Sequence, residues 1–278
     1  MIGALLSHHF RAAARTVWLG LAAIPAVLIP AFALVAINVP VLGGIASVLG
    51  IVAALAAVPA ALVMLAIDYW RTMYGREGYF TMIIPVRGRA LYWTKLLHAL
   101  IVCLAATALT LIGLFLWVAA NSIAARAPLG EQLTGWREMV LNSIGAPMLW
   151  FLVGALAAQL LFVLVAGATV LSVGAEERFS SLGGGAPIIL GIALYFFMQV
   201  LSVLAMMFVP IGLQVTGADA GSIVWNGMLS EIVEAVRLGP EAPEPTMIGI
   251  GFLPLLVVVG ALLAWKGVHS IERRTSLR

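Results

Sequence analysis

The sequence predicts an all-α integral membrane protein with six transmembrane helices. Hydrophobic residues make up 63% of the 278 residues and charged residues only 10%, whereas soluble domains are typically about 45–50% apolar and about 25% charged. The mean hydropathy is +1.11. The apolar stretches are continuous rather than alternating, which favours membrane-spanning helices over a β-barrel.

Six apolar segments are long enough to cross a membrane, since about 20 helical residues span ~30 Å of hydrocarbon. The first two segments are separated by Asn38-Val39-Pro40 and Gly43-Gly44, because proline and glycine interrupt a helical pattern. We treat all six as one transmembrane domain covering residues 1–278. The predicted spans lie near residues 17–37, 43–67, 96–119, 147–173, 187–211 and 247–265.

The distribution of positive charge predicts that both termini are cytoplasmic. An even number of spans places the termini on one side, and the side richer in Lys and Arg faces the cytoplasm. The inner group comprises Arg11, Arg15, Arg71, Arg76, Arg87, Arg89, Lys95, Arg178, Lys266, Arg273, Arg274 and Arg278, and the outer group only Arg126, Arg137 and Arg237. Because this charge follows the sides of a membrane, the pI of about 9.4 does not indicate a nucleic-acid partner.

Two amphipathic segments are expected outside the spans. In residues 1–15, four apolar residues can share one helix face, which predicts an interfacial helix at the inner surface; a frayed terminus is the alternative. The apolar run that follows is too long for a signal peptide, so we expect the segment to be uncleaved. Residues 219–238 also have helical spacing and end before Pro240, which predicts an external helical segment before the last span.

The predicted spans carry no Asp, Glu, Lys or Arg at depth, which counts against an ion-coupled transporter and an intramembrane enzyme. His98, one turn inside the third span, is expected to be an interfacial histidine with satisfied hydrogen bonds. The chain has neither the GxxxxGK[ST] pattern of a P-loop nor the HExxH pattern of a zinc site. Its single cysteine, Cys103, excludes an internal disulfide and a multi-cysteine metal site.

The segment "AEERFSS", residues 175–181, superficially resembles the paired glutamates of membrane-bound prenyl-protein proteases. That family also needs a more distant arginine and histidines on other helices. Here Arg178 follows the glutamates at once, and His269 is the first histidine after them. A short polar cytoplasmic turn, completed by Gly183-Gly184-Gly185, is the better interpretation.

Polar residues concentrate in the segment "YGREGYFTMIIPVRGR", residues 74–89. Residues 77–84 can form two helical turns, in which Tyr79/Ile83 and Phe80/Ile84 stack at i,i+4. Pro85 then ends the element. On chemistry alone, the alternative is a basic loop that rests on anionic lipid with its aromatic side chains at the interface.

The segment "EGYFTMIIPVRGRALYWTKLL", residues 77–97, resembles the cytoplasmic signature of bacterial type-2 ABC transporter permeases. That family commonly reads Glu-Gly-Tyr-Leu-Thr-Leu-Thr-Leu-Pro, followed by a lysine at the start of the third span. Phe80 and Met82 are conservative replacements, whereas Ile83 stands in place of a usual threonine. The matching residues are Glu77, Gly78, Tyr79, Thr81, Pro85 and Lys95.

This resemblance implies a type V ABC exporter fold in the bacterial cytoplasmic membrane. Two six-span permease subunits, identical or different, would each dock a separate ATPase subunit, which would hold the ATP and Mg²⁺. The chain itself would be a transport subunit with no cofactor and no catalytic site. The short helix at residues 77–84 would be the coupling helix. The ATPase-coupling residues would be Tyr74, Arg76, Glu77, Gly78, Tyr79, Phe80, Thr81 and Pro85.

The substrate is not indicated by the sequence. Apolar spans suit a lipid, a drug-like molecule or an amphipathic peptide, and they equally suit contact with membrane lipid. Three alternative functions stay open: a membrane-embedded enzyme, the substrate-capture subunit of an importer, and a small membrane scaffold.

Overall fold

The computed structural model describes residues 3, 6, 10, 17–75, 78, 86–216, 220–239 and 246–273. Over these residues the chain is mostly helical, as predicted. The helices are α1 (Leu19–Ala36), α2 (Leu42–Leu55), α3 (Ala57–Met73), α4 (Gly88–Ala125), α5 (Leu129–Ile144), α6 (Ala146–Gly174), α7 (Gly185–Phe208), α8 (Met228–Leu238) and α9 (Phe252–Arg273). The strands are β1 (Gly212–Gln214), β2 (Ile223–Val224) and β3 (Met247–Gly249).

The described residues contain five single helices that are long and apolar enough to cross a membrane: α1, α4, α6, α7 and α9. Helices α2 and α3 are bent by 43° at a short break, and the pair makes a sixth span if it is counted as one. The helices overlap all six predicted spans. The prediction of a multi-pass helical membrane protein is therefore confirmed.

The break between α2 and α3 follows from Pro59, the third residue of α3. A proline has no N–H to donate to the carbonyl four residues earlier, here that of Leu55, and its ring clashes with that carbonyl. The neighbouring helix α4 contacts this break, because Thr110 Oγ1 donates a 2.8 Å hydrogen bond to the Ala54 carbonyl. A polar side chain of one span thus stabilises the bend in another.

The chain divides into two compact units, of which the first comprises Met1–Glu138 and Val268–Arg278. Within it α4 packs against α1, α2 and α3. Small residues permit this close packing: a Cβ added at Gly113 of α4 would lie 2.8 Å from Ala54 Cβ. The buried core consists of Leu28, Ala31, Phe32, Val35, Ala46, Ala54 and Ala120.

The second unit comprises Met139–Gly267. Helices α6 and α7 pack against each other, and a 3-10 helix (Glu177–Leu182) lies between them in sequence. The three strands form an antiparallel sheet in the order β2-β1-β3. In its register Gly212 pairs with Val224 on one side and with Gly249 on the other.

This sheet corrects two sequence predictions. The expected helical segment at 219–238 is helical only over Met228–Leu238, and the last span begins at Phe252 rather than at residue 247. Gly221 has a φ of +89°, which interrupts a helix, and the β-branched pair Ile223-Val224 that follows favours a strand. The predicted interfacial helix at residues 1–15 lies mostly outside the described residues.

Candidate functional site

The predicted coupling segment is flanked by the end of α3 at Met73 and the start of α4 at Gly88. Of the eight residues predicted to couple to an ATPase, the structure describes Tyr74 and Gly78. The other six, Arg76, Glu77, Tyr79, Phe80, Thr81 and Pro85, lie outside the described residues. Their roles stay predictions, and the described helix ends show how the segment is held.

Tyr74 closes the end of α3 and is buried. Its ring centroid lies 6.2 Å from that of Tyr69 and 5.6 Å from that of Trp70. The backbone at Gly75 packs closely on the last turn of α3, since a Cβ at this position would lie 2.8 Å from the Arg71 carbonyl oxygen. The Gly78 N–H donates to the Gly75 carbonyl at 2.8 Å. The chain thus leaves α3 through an aromatic cluster and a tight turn.

A buried polar cluster joins the end of α3 to the start of α4. Lys95 Nζ donates to Thr72 Oγ1 at 2.7 Å and lies 3.3 Å from Asp68 Oδ2. The Thr72 hydroxyl in turn donates to the Asp68 carbonyl at 2.6 Å. All three side chains are buried, with Lys95 only 4% and Asp68 only 6% exposed. We call Asp68, Thr72 and Lys95 the α3–α4 cluster.

His98 lies one turn after Lys95 and is 1% exposed. Phe10 meets its ring edge-on at a centroid distance of 4.9 Å and stacks on Trp18 at 6.0 Å. The histidine was predicted to sit at the membrane interface. The structure places it in a buried aromatic environment beside the α3–α4 cluster.

The first turn of α4 also contacts the last turns of α9, within the first compact unit. The backbone N–H of Arg89 donates a hydrogen bond to Glu272 Oε1 at 3.2 Å. Gly88 permits this approach, since a Cβ there would lie 2.8 Å from Glu272 Cγ and 3.0 Å from Ile271 Cγ2. The beginning of α4 is therefore held by α3 through a buried ion pair and by α9 through close packing.

Residues 76–85 connect α3 to α4 in sequence, and the α3–α4 cluster links the ends of those two helices. Helix α4 is continuous over 38 residues, or ~57 Å at 1.5 Å per residue, which exceeds the ~30 Å hydrocarbon core. Removing one partner of a buried ion pair typically costs about 3–5 kcal/mol, because the other charge is then left buried without compensation.

The sequence motif predicts a role for Lys95, but its partners Asp68 and Thr72 were not predicted. A usable signal was present: Asp68 is the first acidic residue of the chain, and Lys95 is one of two lysines. Opposite charges that are rare in the sequence, at the facing ends of consecutive spans, predict an ion pair.

The turn at residues 175–181 holds a second buried carboxylate. Arg178 Nε lies 2.9 Å from Glu176 Oε2, and Glu176 is 2% exposed. The Arg178 guanidinium carbon also lies 4.7 Å from the centre of the Phe179 ring. The described part of the chain contains no group of three or more His, Cys, Asp and Glu residues placed to hold a metal ion. The geometry here is that of a structural ion pair.

No family model, curated protein or solved structure matches the chain. The likeness to type-2 permeases therefore rests on the motif residues between Glu77 and Lys95 and on the pattern of spans. The structure itself shows a multi-pass helical membrane protein in which a buried cluster joins α3, which precedes that motif, to α4, in which the motif ends.

Proposed function

We propose that the chain is the transmembrane permease subunit of an ATP-driven ABC exporter. It acts with a separate ATPase subunit, which supplies the ATP and Mg²⁺ site, and with a second permease subunit, identical or different. The pair moves a hydrophobic or amphipathic substrate such as a lipid, a drug-like molecule or a peptide. The complex resides in a bacterial cytoplasmic membrane, with both termini of this chain in the cytoplasm.

The observation that carries the proposal is the motif between Glu77 and Lys95. Its lysine, Lys95, links α4 to α3. The family motif has a lysine at the start of the third span. In this chain that lysine is Lys95, and its ammonium group binds Asp68 and Thr72. Residues 76–85 are thereby attached at both ends to helices that the ion pair joins. A docking segment held in this way can pass a push from a partner protein to two helices at once.

The length of α4 supports the same mechanism. The helix begins three residues after Pro85 and runs without interruption to Ala125. A rigid helix that is longer than the membrane is thick carries a displacement from the cytoplasmic segment to the opposite side. The bend at Pro59 lies in the α2–α3 pair that packs against α4, and Thr110 of α4 donates a hydrogen bond to Ala54 beside it. A displacement of α4 would therefore reach this bend.

The proposal is tested by purifying the tagged full-length chain from its native membrane in mild detergent and identifying the proteins that co-purify. We expect a P-loop ATPase in stoichiometric amount. A chain that purifies without any ATPase would contradict the proposal. Tight stoichiometric binding of a small nutrient would then favour an importer capture subunit, and ATP-independent turnover would favour a membrane enzyme.

A further inference from the structure

A cavity of about 520 Å³ lies among α6, α7 and the first turns of α9, within the second compact unit. Pockets that bind small molecules typically have volumes of about 300–1,000 Å³. Most of the lining is apolar, as exemplified by Phe162, Met198 and Leu256. The cavity therefore has the size and surface of a site for an apolar molecule.

A small polar group interrupts this apolar lining. It consists of Gln159 on α6 and of Tyr195, Gln199 and Ser202 on α7. Gln199 Nε2 donates to the Tyr195 hydroxyl at 2.9 Å. The Tyr195 hydroxyl accepts this hydrogen bond and can still donate its own proton. The Gln199 carboxamide oxygen can accept a hydrogen bond. The group offers both donors and acceptors to a molecule in the cavity.

The position of this group along α7 makes it unusual. Tyr195 lies ten residues after Gly185, or ~15 Å along a helix, which places it near the middle of a 24-residue span. Its side chain is 60% exposed. Amide and hydroxyl groups that face hydrocarbon without hydrogen bonds are costly. A molecule that hydrogen-bonds to these side chains would offset this cost.

The charge of the lining defines the class of ligand. None of the described residues that line the cavity is acidic or basic. A charged headgroup would have no counter-charge there, whereas a hydroxyl, ester or amide group would find hydrogen-bond partners. We propose that the cavity binds a neutral amphipathic lipid, with its apolar part against α6 and α9 and its polar group hydrogen-bonded by Gln159, Tyr195 and Gln199. This inference concerns binding alone and does not depend on an ATPase partner.

Two glycines of α6 provide a matched pair of test variants. A Cβ added at Gly167, which lines the cavity, would meet no atom within 4 Å, and the same holds for Gly154, which does not line it. Gly167→Leu fills the cavity, whereas Gly154→Leu adds an equal side chain elsewhere on the same helix. Both replace glycine with a better helix former, so both are expected to fold.

The test uses the full-length chain in phosphatidylcholine nanodiscs and a photoreactive, alkyne-tagged monooleoylglycerol as the probe. We expect saturable labelling of α6 and α7 peptides that unlabelled monooleoylglycerol suppresses. Gly167→Leu should weaken the apparent affinity by at least about tenfold through steric overlap, and Gly154→Leu should leave it unchanged. Gln199→Leu should weaken it by about fivefold, the size of one lost hydrogen bond.

Three outcomes would overturn the inference. Equal, non-saturable labelling of the wild type and both glycine variants would show bulk lipid contact only. Equal labelling by a phosphatidylcholine probe with the same chain would contradict selection for a neutral headgroup. A photoreactive side chain at position 195 that crosslinks to protein rather than to lipid would show that another polypeptide covers the cavity.

Discussion

Lys95 Nζ lies 3.3 Å from Asp68 Oδ2, and this ion pair joins two helices across 27 residues of sequence. Both side chains are buried, so neither charge is compensated by water. The pair sits at the ends of α3 and α4 that residues 76–85 connect in sequence. It links the facing ends of the second and third spans, which we predict to be cytoplasmic.

Lys95→Met should destabilise the protein strongly, because it leaves the Asp68 carboxylate buried without its cation. We expect a loss of about 3–5 kcal/mol in the free energy of unfolding. The double variant Asp68→Leu/Lys95→Met should recover most of this loss, since both charges are then absent. Thermal unfolding followed by size-exclusion fluorescence in detergent measures the effect. Arg137→Met, which removes an exposed charge on α5, is the control, and equal destabilisation of both single variants would contradict the role of the pair.

Thr110→Val should weaken the bend between α2 and α3, because it removes the donor to the Ala54 carbonyl. Hydrogen bonds between membrane helices average about 0.6 kcal/mol and reach about 1.7 kcal/mol, so a loss in that range is expected. Thr107→Val is the matched control, since the Thr107 hydroxyl bonds the Cys103 carbonyl of its own helix at 2.9 Å. Denaturant unfolding of the two variants decides the point: indistinguishable midpoints would mean that the interhelical bond contributes nothing.

The predicted orientation is tested by cysteine labelling. In a Cys103→Ala background, Arg237→Cys should react with a membrane-impermeant maleimide in intact cells, because Arg237 lies in the predicted outer segment. Glu177→Cys should react only after permeabilisation. Both native side chains are exposed, so burial does not bias the comparison. The reverse pattern would place the termini outside and remove the basis for a cytoplasmic docking segment.

Glu77→Ala and Tyr79→Ala should each uncouple transport from ATP hydrolysis while leaving membrane insertion intact. The polar and aromatic groups of the motif are expected to contact the ATPase, whereas the spans do not depend on them. Gly78→Pro should be more severe, because a proline there would remove the N–H that donates to the Gly75 carbonyl at 2.8 Å and would disturb the start of the predicted short helix. Substrate flux in reconstituted vesicles is the measurement, and full activity in both alanine variants would refute the assignment of the segment.

The spans were predictable because apolar length is a property of the local sequence. A run of about 20 apolar residues has to satisfy its backbone within itself, and a helix is the structure that does so. The bend after Leu55 could also have been predicted from Pro59. Only Pro40 and the following glycines were used, and they predict the break between the first two spans. The boundary after Ala36 agrees with those signals, and Asn38 and Val41 have positive φ angles there.

The remaining features depend on tertiary contact and escaped prediction for that reason. The rarity of such charges at Asp68 and Lys95 indicates an ion pair, but its geometry and the contact with Thr72 exist only because α3 packs on α4. The three-stranded sheet joins Gly212 to Gly249 through pairing that no local period reveals. The polar group around Gln199 escaped notice because uncharged amides do not interrupt an apolar run, whereas the cavity beside them exists only in the folded chain.

The most direct test of the central claim is the recovery of an ATPase subunit with the tagged chain, compared between two double variants. Glu77→Ala/Tyr79→Ala alters the proposed docking segment, and Glu131→Ala/Trp136→Ala makes similar changes on α5, outside it. We expect the ATPase to be lost from the first variant and retained by the second. Equal recovery from both variants, or no ATPase with the wild-type chain, would contradict the proposed docking at residues 76–85.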